Sequence, residues 1–247
     1  MNKPFRILLI LVALIIVLTP TLCLKVVSSP VVSPAKSFCI VIDAGHGGID
    51  SGATGIVTGN KESDLNLEIS LSLGKKLKDL GINVVYTRKT QDGLYGTTNS
   101  GYKRRDMLKR REIALSSDAD LLVSIHLNKF VSSSRRGAQV YYQYADEKSY
   151  NLANSIQKVL NDYINIPQQN RTYDASQGDF WMCKIIKPAV IVECGFLSNE
   201  KDDLLFDTRE YREQIAYYIF DGIVAYLTQK TTFVPNYYSV NPSTFLY

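Results

Sequence analysis

CIVIDAGHGG (residues 39–48) carries an apolar run straight into a histidine set among glycines. An unbroken apolar segment this short, stopped by glycine, reads as a fully buried strand of a parallel sheet. Two other stretches repeat the pattern: LLVSIHLN (121–128) reaches His126, and AVIVECGFLSN (189–199) carries Glu193 inside an apolar run. The chain has only 2 histidines, and both stand at the C-terminal end of such a strand. Ligands of open α/β sheets bind beyond the carboxyl ends of the strands, so His46, His126 and Glu193 are expected to converge there.

Working outward, β-type runs alternate with helical periods. Strands are expected at Phe38–Ile42, Asn83–Thr87, Leu121–Ile125, Ala138–Tyr142, Phe180–Ile185 and Ala189–Val192. The first helix shows Leu65, Ile69, Leu73, Leu77 and Leu80 at spacings of three or four, closed by Gly81. Lys103–Ser117 is a second helix; stripes Ala153/Ile156/Leu160/Ile164 and Ile215/Ile219/Ile223/Leu227 mark two more. The alternation predicts an α/β fold, a single three-layer α/β/α domain with a mostly parallel sheet of about six strands.

The 247 residues suit one domain with short appendages. Lys3 and Arg6 followed by the apolar Ile7–Leu18 are an export pattern, so residues 1–27 are expected to be a signal peptide or an N-terminal membrane anchor, cleaved and retained forms remaining open. Cys23 invites a lipoprotein reading, against which Leu22 stands where a small residue is normal. SSPVVSPAKS (28–37) reads as a linker, 38–228 as the folded domain and 229–247 as a C-terminal tail. Cys39, Cys183 and Cys194 form no CxxC pair and read as small buried hydrophobes. A net charge of +4, with both signs mixed, excludes nucleic acid as the expected partner. The basic run from Lys103-Arg104-Arg105 to Lys109-Arg110-Arg111 reads as a solvated helix face.

Two imidazoles at one strand mouth suit zinc, which in catalytic sites takes three protein ligands and keeps a fourth position for water. Glu62, at the opening turn of the first helix, is the leading third ligand, with Asp43, Asp50 and Asp64 as rivals. Glu193 is left for proton transfer, its apolar setting raising its pKa toward neutrality. Gly45, Gly47, Gly48 and Gly52 let the backbone turn and approach the site. A phosphate-cradling loop fails for want of a P-loop Lys. The bland alternatives are hydrogen-bonded core histidines and, for Cys194, a buried filler.

Four segments resemble the zinc-dependent N-acetylmuramoyl-L-alanine amidases of the amidase-3 family: VIDAGHGGIDSGATG (41–55), KESDLNLEISLSLGKKLKDLGINVVYTR (61–88), ADLLVSIHLN (119–128) and PAVIVECGFLSN (188–199). The resemblance implies one Zn²⁺ on His46, Glu62 and His126, with Glu193 as general base. It implies hydrolysis of the amide between N-acetylmuramic acid and L-Ala of the stem peptide, so the substrate partner is a peptidoglycan glycan strand bearing that peptide. Asn128, Arg171 and Asn199 match motif-adjacent positions and are expected as site support. Leu115 departs from the family's usual Asn, Arg171–Lys184 matches loosely, and the stretch between His126 and Glu193 is too short for the autoinhibitory helix of division-associated relatives. The N-terminal segment ahead of a bare catalytic domain is similar to spore-cortex amidases that prepare muramic-δ-lactam. Expected location is extracytoplasmic, secreted or held at the membrane only through the N-terminal segment, the forespore intermembrane space included, with an activating or accessory protein as a further partner. A vegetative or division autolysin, a zinc peptidase on stem peptides and a non-catalytic wall-binding protein remain the alternatives.

Overall fold

The computed structural model describes residues 38–230; the segments expected as a signal peptide or anchor, a linker and a C-terminal tail lie outside the described residues, apart from residues 229–230. In chain order the elements are β1 (Cys39–Ala44), α1 (Glu62–Asp79), β2 (Asn83–Tyr86), α2 (Tyr102–Ser116), β3 (Leu121–Asn128), β4 (Gln139–Tyr142), α3 (Glu147–Leu160), α4 (Ile166–Gln169), β5 (Ser176–Gln177), β6 (Ala189–Phe196), α5 (Glu200–Asp207) and α6 (Arg209–Lys230). The strands form a six-stranded sheet in the order β2-β1-β3-β6-β4-β5. Every pairing is parallel except β4 with β6. The expected α/β architecture holds.

Strand alternation sorts the two faces. Ile40, Ile42, Leu121, Val123, Ile125, Val190 and Val192 join the apolar sides of α1, α3 and α6 in the main core. Val41, Leu122, Ala189 and Ile191, one residue out of phase, pack with Ala114, Met182 and Cys183 in a smaller second core. Helix α1 ends as its sequence predicts: Gly81 takes φ 79°, its N–H reaches Lys78 O at 2.8 Å, and the Ile82 N–H reaches Leu77 O at 3.1 Å. This is the double bond of a Schellman cap, which only a residue at ease with positive φ closes without strain.

Two expectations need correction. Phe180–Ile185 is not a strand; it contains a single 3₁₀ turn, Met182–Lys184, and the sixth strand is the two-residue β5. Its apolar residues are there to lid the second core, with Met182 and Cys183 buried. The basic run is not wholly solvated either, because Arg110 is 2% exposed and among the largest fully buried side chains. Among the described residues no helix is long and apolar enough to cross a membrane.

Candidate metal centre and catalytic carboxylate

The parallel register brings the three strand ends level. His126 stands opposite Glu193 and Asp43 opposite Ser124, all four on the face of the second core. Past β1 the chain breaks its extended course at Gly45 and puts His46 at φ 60°, a left-handed conformation that a side chain with a Cβ adopts at a cost of about 1 kcal/mol. Gly45 has to be glycine here, since a Cβ would come 2.2 Å from the His126 ring. Gly52, at φ +66°, leaves room in the same way for Glu62, whose Oε2 would lie 2.4 Å from an added Cβ.

Glu62 is the rival that the fold selects. The first turn of α1 aims its carboxylate between the imidazoles: Oε1 lies 3.0 Å from His126 Nδ1 and 3.2 Å from His46 Nε2. The Ala53 N–H donates to Oε2 at 2.8 Å, while Oε1 accepts from the Leu127 N–H at 3.2 Å and Asn66 Nδ2 at 3.3 Å. Burial pushes this carboxyl up, but the hydrogen bonds of His126 and His46 outweigh it and hold it well below the carboxylate range. His46 is shifted the other way; burial opposes its charge, and Glu62 with Asp50 overcomes that. Asp50 Oδ2 sits 3.2 Å from His46 Nδ1, on the outer side of the ring. Asp43 is committed elsewhere, and Asp64 is half-buried on α1 outside the cluster.

His46, Glu62 and His126 form a group that could hold a metal ion, their ligand atoms all within 4.8 Å of one another. The fit to zinc is geometric as well as chemical. Bonds of about 2.0–2.1 Å to nitrogen or oxygen in a tetrahedron put neighbouring donors roughly 3.3 Å apart, close to the spacing of the Glu62 oxygen from both rings. Beside this cluster Glu193 is half-buried, and its Oε2 is buried with no hydrogen-bond partner. Burial raises its pKa to about 7, as its apolar strand predicts.

Two arginines that the sequence reading did not single out hold the loop beneath the cluster. Arg110 donates to Ala44 O at 2.7 Å, to His46 O at 2.5 Å and to Asp43 Oδ1 at 2.7 Å. Arg88 donates to Gly45 O at 2.9 Å, Ala44 O at 3.0 Å and Ser63 O at 2.7 Å. Burial would raise the Asp43 carboxyl, but the Arg110 charge and bonds from Ser124, Thr87 and Arg110 bring it down to about 2. The signal for Arg110 was present in its spacing, three after Met107 and four before Ala114 on the inner stripe of α2.

The expected support residues are scattered. Asn128 ends β3, where its carbonyl accepts from Leu197 N–H at 2.9 Å. Arg171 is exposed and stacked 5.1 Å from the Tyr173 ring. Asn199 caps α5, accepting from the Lys201 and Asp202 N–H groups at 3.1 Å and donating to Ser133 O at 2.6 Å. None of the three lines the cavity of about 220 Å³ that opens beside the histidines.

The model of the amidase-3 family, N-acetylmuramoyl-L-alanine amidase, matches residues 40–225. The chain is 33% identical over 204 residues to the germination-specific N-acetylmuramoyl-L-alanine amidase of Bacillus subtilis, covering 80% of this chain and 83% of that one. It is also 33% identical over 211 residues to the B. subtilis N-acetylmuramoyl-L-alanine amidase LytC, covering 84% of this chain and 39% of the larger relative. Among solved structures it resembles the CwlD amidase of Clostridioides difficile in complex with the GerS lipoprotein, with TM-score 0.74, 36% identity, 78% of this chain and 100% of that chain covered.

Proposed function

From a chain that belongs to the N-acetylmuramoyl-L-alanine amidase family, we propose a zinc-dependent enzyme that cleaves the amide between the lactyl group of N-acetylmuramic acid and L-Ala of the stem peptide, with His46, Glu62 and His126 as the zinc ligands and Glu193 as the general base. The observation that carries this reading is the placement of one Glu62 oxygen within 3.2 Å of both imidazoles, next to an unpartnered Glu193 oxygen. Zinc, when bound, supplies a Lewis acid that polarises the amide carbonyl and acidifies water. The chain does the rest. Asp50, 3.2 Å from His46 Nδ1, holds the proton on that nitrogen and leaves Nε2 for the metal, so the tautomer and angle of the ring are set before substrate arrives. Arg88 and Arg110 hold the carbonyls below it. Glu193 takes the proton from the attacking water at its free Oε2 and returns it to the leaving L-Ala nitrogen.

The similarity to the germination-specific relative supports a role in spore cortex, where peptide removal prepares muramic acid for δ-lactam formation. The complex of the related CwlD with a lipoprotein supports an accessory protein of that kind. Action outside the cytoplasm follows from the wall substrate and agrees with the leader read in residues 1–27.

Mass spectrometry of purified peptidoglycan treated with residues 28–247, with and without zinc and alongside Glu193→Ala, tests the chemistry. Free peptides beginning at L-Ala, released only by the zinc-supplied wild type, are the expected result. Release at another amide would make the protein a peptidase, and equal release by Glu193→Ala would remove Glu193 from the mechanism. Loss of muramic-δ-lactam from spores of a deletion strain tests the cortex role; unchanged lactam would overturn it.

A further inference from the structure

The cavity beside the histidines is built unlike the rest of the site. One side is His46 and His126; the far side is the first turns of α2 and the turn that follows Phe180. Its walls are apolar and aromatic, with Tyr95, Tyr102, Phe180, Trp181, Met107 and Met182 facing the space. Its buried charges are already spent on one another: Arg110 pairs with Asp43 at 2.7 Å and with Asp106 at 2.6 Å. Lys103 is different. Its side chain is 65% exposed, and its ion pair with Asp50 is long at 3.6 Å. A solvent-reached pair of this kind is worth about 0–1 kcal/mol, so an arriving anion displaces it readily.

Size and chemistry together select the occupant. A volume of about 220 Å³ is below the roughly 300–1,000 Å³ of pockets for drug-sized ligands, so the occupant is short. The walls suit a small apolar residue and the cation suits a carboxylate. We propose that this cavity is the subsite for the first residues of the stem peptide, with Lys103 pairing a peptide carboxylate one residue beyond the scissile amide. The inference rests on the amidase reading and adds the side of the centre on which the peptide lies and the group that selects it. When the carboxylate takes Lys103, Asp50 is left wholly to His46, so binding of the peptide tightens the hold on that ring.

The test compares two ligands whose D-glutamyl γ-carboxyl is blocked as an amide, muramyl-L-alanyl-D-glutamate with its α-carboxylate free and the same compound with that group as a carboxamide, measuring Kd by calorimetry and kcat and KM for release of the peptide. Wild type, Lys103→Met and a control, Lys109→Met on the outer side of the same helix, are each run. The wild type and the control should prefer the acid by roughly fivefold in Kd and KM, with kcat nearly alike, and Lys103→Met should bind the two alike. Hydrolysis of both ligands without preference in the wild type, or a preference that survives Lys103→Met, overturns the subsite while leaving the amidase reading intact. A preference in Kd without hydrolysis of either keeps the subsite and counts against the amidase reading. Absence of both binding and hydrolysis counts against the two together.

Discussion

On one face of the sheet Ile42, Val123, Ile125 and Val192 lie beneath three helices; on the other, Asp43, Ser124, His126 and Glu193 come from the same strands, one residue out of phase. The first face is closed by the long helices α1, α3 and α6, the second by α2 and a single 3₁₀ turn. The difference follows from period-two alternation: a strand that buries one face deeply is free to spend the other on polar groups. Coverage then sets chemistry. The thin cover leaves a cavity at the strand ends, and the partial burial it gives is what lifts Glu193 while Arg110 holds Asp43 down.

The largest expected effect separates the faces by activity. Glu193→Gln should slow peptide release by about 10²–10⁴-fold, the usual worth of a positioned acid–base group, with the far-ultraviolet circular dichroism unchanged. Arg110→Met breaks the polar floor instead, leaving Asp43 buried without its partner, and urea titration should show a loss of about 4 kcal/mol together with weaker zinc binding. Ile219→Ala breaks the covered face: a loss of about 3 kcal/mol, with activity per folded molecule intact. A comparable loss of specific activity would mean that the two faces are coupled.

The two site-face carboxylates should also give stability slopes of opposite sign in the zinc-free protein. Asp43 titrates at about 2 when folded against an ordinary 3.8, so the unfolded chain gains its proton first and stability falls as pH drops through that window, by about 2 kcal/mol in all. Glu193 titrates at about 7 against an ordinary 4.5, so the folded protein holds a proton that the unfolded chain has released, and stability falls as pH rises from 4.5 to 7. Urea midpoints against pH for wild type, Asp43→Asn and Glu193→Gln should show each slope flattened by its own substitution. The smallest effect is at the rim, where Asn199→Ala should remove the cap of α5 and cost about 1 kcal/mol.

Much of this was legible in the residues. The apolar runs ending at His46 and His126 gave both the strands and the meeting of the two rings, because a parallel sheet forces their ends to one edge, and the leucine spacing with Gly81 gave α1 and its cap. Phe180–Ile185 was not legible, since a short apolar run serves equally as a strand or as a lid over a small core, and only the β4–β6 antiparallel pairing shows why no strand is needed there. Arg110 was hidden by its neighbours: a run of cations suggests solvent, whereas the helical phase decides which of them turns inward. Asn199, expected as site support, has its side chain engaged at the start of α5.

The left-handed backbone of His46 has a consequence for anyone improving this protein in the laboratory. His46→Gly would relieve that conformation, but the relief is offset by the extra freedom of glycine in the unfolded chain and by loss of the ring's contacts with Glu62 and Asp50. A screen that scores only survival of heating therefore gains nothing at this codon, and the strain stays with the ring.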